Sequence, residues 1–422
     1  MRFLVFNLLI LQKSPMILLL LSLVCSTTTL AGDWPQLLGP QRNGHALGES
    51  LATQWSPEGP KKVWSVDLGS GFSGPAVVGN QVVMFHRVDA KERIESFDVR
   101  NGKSNWSVAF EATYRGSINP DSGPRCVPLI HAGRVYVFGA AGDLHCVELK
   151  SGAKQWSRSL YEDVDGDEGY FGAGSTPIII GDQLLVNAGG RNAGIVAISL
   201  KTGKTIWQAT REGASYSSPT LATLDGQDYA VFVTRLNAVG LDPQNGDVRF
   251  SFPFGRRGPT VNAATPLVFD NYLFISSSYG IGASLSDLRT PEPKPIWAND
   301  TSMSSQYCTA VFQDGYLYGT HGREDGQAAE LRCIEAKSGK IQWSEQGFGV
   351  AHTILADKLM LLLNVEGQLS LVKAQPTSYA KLAEATISQG VTRAIPALSN
   401  GKLFLRNNIG NSGSLHCFAV GK

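Results

Sequence analysis

The segment DVDGDEG (163–169) sets Asp163, Asp165 and Asp167 at alternate positions around Gly166. Carboxylates at every second residue, with a glycine permitting a sharp bend, suit oxygen ligation of calcium. The segment departs from a calcium-binding EF-hand loop, because Glu168 stands where glycine is needed and no bidentate glutamate follows at the right distance. A solvated acidic turn is therefore the first reading and a calcium site the second. His86-Arg87 and His321 with Arg323 fall at corresponding places in two distant stretches; such histidines read as surface polar groups before they read as ligands. No GxSxG, HExxH or P-loop is present. Cysteine chemistry is equally quiet. Cys126, Cys146, Cys308, Cys333 and Cys417 lie in apolar runs, with no CxxC or CxxCH among them. Buried small hydrophobes are the first reading; Cys126–Cys146 and Cys308–Cys333 remain open as pairs if the chain is exported.

Export is what the first thirty-one residues suggest. Arg2 and Lys13 precede the apolar run Met16 to Val24, and Thr29 and Ala31 fit the −3 and −1 positions of a signal-peptide cleavage. The mature chain is then expected to begin at Gly32, in the periplasm or outside the cell. Lipid attachment at Cys25 is not expected, since Val24 precedes it. The apolar run is short for a membrane span, and no later segment approaches spanning length. Removing residues 1–31 leaves 35 basic against 36 acidic residues. A nucleic-acid binder shows a basic excess or stripe; this chain has neither.

The elements that must position any site are repeats. VRNGKSNW ends at Trp106, LKSGAKQW at Trp156, LKTGKTIW at Trp207 and AKSGKIQW at Trp343. Trp64 and Trp297 end related stretches, and Phe250 takes the same place after DPQNGDVR. A second landmark, a proline or small residue opening a short apolar run, recurs at Pro75, Pro128, Pro177, Pro219, Pro266, Ala310, Thr353 and Pro396. That makes eight units. Within each, β-rich runs alternate with turn dipeptides, which reads as a four-stranded antiparallel meander. One such sheet buries little alone; eight packed around an axis bury both faces of each. The expected fold is an all-β, eight-bladed β-propeller of four-stranded antiparallel blades. The last unit has three runs, and KKVWSVDL (61–68) precedes the first unit unmatched. The N-terminal strand is expected to complete the last blade and close the ring. Residues 32–60 form an N-terminal arm and 61–422 the propeller, a single-chain monomer. The recurrent aromatics Trp64, Trp106, Trp156, Trp207, Phe250, Trp297 and Trp343 are expected to wedge between blades.

The repeat resembles that of the pyrroloquinoline quinone (PQQ) propellers, and DWPQLLGPQRNG resembles the N-terminal arm of secreted bacterial PQQ-like repeat proteins. The resemblance covers nearly the whole chain after residue 31. It implies one of two relationships: quinone-dependent alcohol or sugar dehydrogenases, or the non-enzymatic assembly factors of the BamB family. The dehydrogenases carry longer insertions, and many carry adjacent cysteines at the cofactor; this chain has no such pair. The resemblance thus implies a BamB-like binding or scaffolding propeller with an unidentified protein or envelope partner. A PQQ-dependent oxidoreductase is the alternative, and carbohydrate or polymer binding a third.

Two-residue turns gather at one face, and connections of variable length at the other, among them 111–124, 161–172, 253–260 and 299–306. Variable loops on a rigid frame are where binding is found. Residues just before the inner strands should ring the channel mouth on that face: Arg125, Tyr216, Asn262, Gln306, Tyr307, His352 and Arg393.

Overall fold

Eight four-stranded antiparallel sheets make up the fold, seven of them built from consecutive strands. The structure, a computed structural model, describes residues 32–116, 118, 121–326 and 329–422. The expected signal segment lies outside the described residues. In the eighth sheet the order departs from sequence: Lys61–Leu68 pairs antiparallel with Ser412–Ala419, Trp64 opposite Cys417 and Val66 opposite Leu415. The start of the propeller therefore closes its end, and closure leaves no blade missing its outer strand. In six blades the inner strand is the shortest: Ala76–Val78, Leu129–His131, Ile178–Ile180, Leu267–Phe269, Val311–Gln313 and Ala397–Ser399 have three residues each.

The turn glycine and the aromatic turn out to be partners across blades. Indole Nε1–H of Trp64 donates to the Val99 carbonyl (3.0 Å), Trp106 to Leu149 (2.9 Å) and Trp156 to Leu200 (3.1 Å). Trp207 donates to Pro243 (3.1 Å), Trp297 to Ala336 (2.9 Å) and Trp343 to Gln375 (2.8 Å). Every acceptor opens the turn between the third and fourth strands of the following blade. The glycine of that turn lies flat under the ring. A Cβ at Gly102 would stand 2.8 Å from Trp64, and one at Gly152 only 2.5 Å from Trp106. Where the pattern breaks, both partners change. The turn of the fifth blade, 288–294, has no glycine, and the fourth blade presents Phe250 instead, packed over its own Gly240 and beside Phe252. The seventh blade also lacks the glycine, and Trp343 meets Tyr379 there, centroids 5.7 Å apart.

All five described cysteines are buried free thiols. The pairings Cys126–Cys146 and Cys308–Cys333 are therefore not formed. Cys146 faces Tyr136 and Trp156 across its own sheet, and Cys333 faces Tyr318 and Trp343. His86 and Arg87 are likewise not surface groups. They are buried in strand Gln81–Val88, where His86 Nδ1 accepts the Gly69 N–H (2.9 Å) and Arg87 donates to the Tyr114 and Ala112 carbonyls (2.7 and 3.1 Å).

The arm is folded against the short-turn face. Trp34 bridges to Val77 in the first blade, and Pro35 accepts from Ile130 in the second. Gly44 accepts from Leu355 in the seventh blade, His45 Nε2 lies 2.9 Å from the Phe312 carbonyl in the sixth, and Glu49 accepts from Asn400 and Gly401 in the eighth. Arg42 reaches the remaining side: its guanidinium, 3% exposed, donates to the carbonyls of Thr176 (3.0 Å), Pro177 (2.9 Å) and Pro219 (2.9 Å). These contacts converge on the turn ends of inner strands, so the arm caps one end of the channel.

Glu92 crosses from the first blade to the second, where its Oε1 accepts the Ala140 N–H (2.9 Å). Burial pushes its carboxyl up to about 7, against the Ala140 hydrogen bond and the Arg87 charge. Between the ordinary glutamate value of 4.5 and about 7, the native state holds a proton that the unfolded chain has lost. Stability should therefore fall as pH rises through that window, by on the order of 3 kcal/mol in total. Denaturant unfolding of Glu92→Gln across pH 4–8 is expected to lack this slope.

Candidate functional site

Three residues before each inner-strand landmark, the chain turns into the axis. At that offset stand Phe72, Arg125, Gly174, Tyr216, Ala263, Tyr307, Val350 and Arg393. All but Val350 line one cavity of about 520 Å³ at the long-loop face. Two of these positions, Gly174 and Ala263, carry almost no side chain. Gly174 is held small by its neighbour, since a Cβ there would stand 2.8 Å from Tyr216. One residue before each landmark lies a second tier, which includes Thr176, Ser218, Thr265, Thr309 and His352. Its hydroxyls stitch blades together: Thr176 Oγ1 accepts from Val127 N (2.9 Å), Ser218 Oγ from Thr176 N (2.8 Å) and Thr309 Oγ1 from Thr265 N (2.9 Å). Below the mouth the channel narrows to about 110 Å³, and Leu37 and Leu38 of the arm line it there. Among the described residues the arm thus floors the channel, which opens at the loop face.

Two arginines dominate the mouth. Arg393 Nε donates to both oxygens of Glu324 (3.0 and 2.8 Å), and Tyr307 Oη donates to the same carboxylate. That hydrogen bonding holds the Arg393 guanidinium above its ordinary value, while burial raises the Tyr307 phenol. Arg125 is held differently. Its guanidinium donates to the Gly123 and Asp121 carbonyls (3.0 and 3.4 Å) and lies 5.7 Å from the ring centres of Phe72 and Phe171. Burial lowers its pKa, and no salt bridge to it is present among the described residues. A cation on aromatic faces and backbone carbonyls retains its attraction for an incoming anion. Tyr216 completes that wall: its Oη accepts the Phe171 N–H (2.9 Å), with the two rings edge to face at 5.5 Å.

Five of the seven residues expected at the mouth line this cavity: Arg125, Tyr216, Gln306, Tyr307 and Arg393. His352 lies one tier lower, its Nε2 2.8 Å from the Arg393 carbonyl, and burial lowers its pKa. Asn262 is not at the mouth. It is 1% exposed, and its Nδ2 donates to the Thr234 and Phe254 carbonyls (3.0 and 3.2 Å), bracing the loop behind the cavity. Phe72 and Gly174 were missed, although the three-residue offset marks both. Phe171 lies six residues before its landmark, in the same connection as Gly174, and Tyr279 and Glu324 come from loops between second and third strands, where no offset marks them.

The acidic segment does not assemble a calcium shell. Asp163 falls in the helical turn Leu160–Val164 and pairs with Arg158; Asp165 lies 3.5 Å from Arg191, and Asp167 accepts from Gly169 N (2.7 Å). Alternate spacing aligns side chains only on a uniform backbone; here Asp163 is helical, Asp165 caps the helix in the left-handed region and Asp167 lies beyond it. Among the described residues no group of three His, Cys, Asp or Glu side chains is placed to hold a metal.

An eight-bladed ring with an arm-floored channel and an arginine–aromatic mouth defines a PQQ-like propeller whose variable face is available for recognition. The family described as outer membrane protein assembly factor BamB matches residues 90–345, and the chain belongs to it. Over 183 residues the chain is 26% identical to the outer membrane protein assembly factor BamB of Shewanella oneidensis, covering 42% of this chain and 43% of that protein. Over 176 residues it is 29% identical to a 1-butanol dehydrogenase (cytochrome c) of Thauera butanivorans, covering 40% of this chain and 24% of that protein. The chain thus matches less than half the length of either curated relative. Among solved structures, BamB of Moraxella catarrhalis superposes with a TM-score of 0.61 at 16% identity, over 84% of this chain and 97% of that one. The quinohemoprotein alcohol dehydrogenase of Comamonas testosteroni gives 0.70 at 14% identity, over 93% and 81%. At such identities these likenesses speak for the fold alone.

Proposed function

We propose that this chain is an exported, non-catalytic binding or scaffolding propeller that engages a protein or envelope partner through its long-loop face. The observation that carries the reading is the arm-floored channel. A cavity of about 520 Å³ with aromatic walls and a desolvated Arg125 suits an inserted side chain or chain end bearing a carboxylate. The family membership supports a protein partner, and the composition of residues 1–31 supports export. Recovery of partners from an envelope extract is expected with the parent and lost with Arg125→Glu, which reverses the charge at the mouth. Equal recovery by a folded Arg125→Glu variant would remove the mouth from the contact.

The 29% identity over 176 residues to the 1-butanol dehydrogenase of Thauera butanivorans supports a second reading, a quinone-dependent oxidoreductase at the same face. The donor set fits that chemistry poorly. Of the mouth carboxylates, Glu324 is closed by Arg393 and Tyr307, and Asp325 by Arg323 at 2.6–2.8 Å. A calcium-bound quinone needs such oxygens free. Titration with the quinone and calcium decides the point: new cofactor absorbance with dye reduction by alcohols would establish the oxidoreductase, and an unchanged spectrum would eliminate it.

A further inference from the structure

A second cavity, about 560 Å³, opens on the same face away from the axis, where the loops of the fourth, fifth and sixth blades meet. Its walls carry Arg256, Arg257, Arg323, His321, Tyr279 and Asp300. We propose that this cleft binds a tetrahedral oxyanion, a phosphate or sulfate group, free or as the monoester end of a larger molecule.

The charges decide the sign. Arg323 is neutralised by Asp325, its Nε and Nη2 donating at 2.8 and 2.6 Å. Arg256 and Arg257 have no carboxylate partner among the described residues, and the nearest atom that a Cβ on Gly280 would meet is Arg256 Nη1, at 3.5 Å. Asp300 is the single acidic group of the cleft, and Ser304 Oγ donates to its Oδ1. Two unpaired guanidinium groups against one carboxylate leave the cleft positive, and forked donors match the oxygens of phosphate or sulfate.

The donors are also held in place. Arg235 reaches under the loop that carries the two arginines, donating to the Arg256 carbonyl (3.0 Å), the Gly258 carbonyl (2.7 Å) and Thr260 Oγ1 (3.1 Å). Thr260 Oγ1 in turn donates to the Arg256 carbonyl (2.6 Å). The backbone that presents both guanidinium groups is thus tied down at several points, which lowers the ordering cost of binding. On the facing wall, His321 Nδ1 accepts the Ser304 N–H (3.0 Å), so the neutral ring carries its proton on Nε2 as a further donor. Arg323 lies over the Tyr279 ring at 4.7 Å, and Tyr279 separates this cleft from the axial mouth, lining both.

Isothermal titration at low ionic strength with inorganic phosphate, inorganic sulfate and glucose 6-phosphate tests the assignment. Saturable binding is expected for the parent, at least tenfold weaker in the double variant Arg256→Ala/Arg257→Ala. Both side chains are exposed, so that variant should keep the parent melting temperature in the absence of ligand. Arg249→Ala, on an outer strand remote from the cleft, should retain parent affinity. Tighter binding of the sugar ester than of inorganic phosphate would identify an anchored group, and equal binding a free ion. Absence of saturation in the parent, or equal affinity in parent and double variant, overturns the proposal without touching the axial mouth.

Discussion

Arg42→Ala is expected to destabilise the propeller by on the order of 3 kcal/mol. Three carbonyls from two blades lose the only side-chain donor they have among the described residues. Each buried acceptor left unpaired costs about 1–3 kcal/mol, and part of that is offset because a charged group no longer has to be buried. That offset is real: burial lowers the Arg42 guanidinium to about 9. Arg42 also sits at φ 54°, the left-handed region that a side chain occupies at a cost of about 1–2 kcal/mol. Arg42→Gly removes this cost along with the fork, so it should be the milder variant. Arg42→Lys should not rescue, because one ammonium cannot span acceptors in two blades. Guanidinium chloride unfolding of the three variants checks the order. If Arg42→Ala unfolds with the parent, the arm is not what holds the channel floor.

The second large effect concerns the Trp64–Gly102 pair. Trp64 is 9% exposed, donates to the Val99 carbonyl and packs near Phe404, at 5.9 Å between ring centres. It belongs to the strand that closes the ring. Trp64→Ala should cost about 3–5 kcal/mol. Gly102→Ala should cost about 2–4 kcal/mol, from its φ of 73° and from a Cβ 2.8 Å from the indole. The two terms separate in a double-mutant cycle. With Trp64 already alanine, the clash with the ring is gone, and the backbone cost of Gly102→Ala should remain together with the close approach to Val66 Cγ1 at 3.0 Å. Strict additivity would mean that ring and glycine do not touch.

That pair also shows how far the sequence could be read. The proline or small-residue landmark, repeated eight times, made the blade count legible, and the run 61–68 left over from that period pointed to the ring closure. Which glycine meets which tryptophan was not legible. The contact joins residues about 40 positions apart, as in Trp106 with Leu149, and the turn alone accounts for a positive-φ glycine. The mouth divides the same way. Arg125, Tyr216, Tyr307 and Arg393 share one offset from the inner-strand landmark, and that offset would have added Phe72. Asn262 and Gln306 share the next offset and part company: Gln306 lines the cavity, whereas Asn262 turns back to brace a loop. Side-chain direction at a loop position depends on the loop, and the loops are the non-repeating part. Asp163, Asp165 and Asp167 are not brought together for a related reason: a helix takes in Asp163 and ends at Asp165 in a left-handed turn, so the uniform backbone that alternate spacing assumes is absent.

The central claim is that recognition takes place at the open mouth and not at the face closed by the arm. Site-specific photo-crosslinking tests it directly, with p-benzoylphenylalanine replacing Phe171 at the mouth or Asp182 on a short turn of the opposite face. A discrete adduct to an envelope component from position 171, and none from position 182, is the expected result. Adducts from position 182 alone would contradict it.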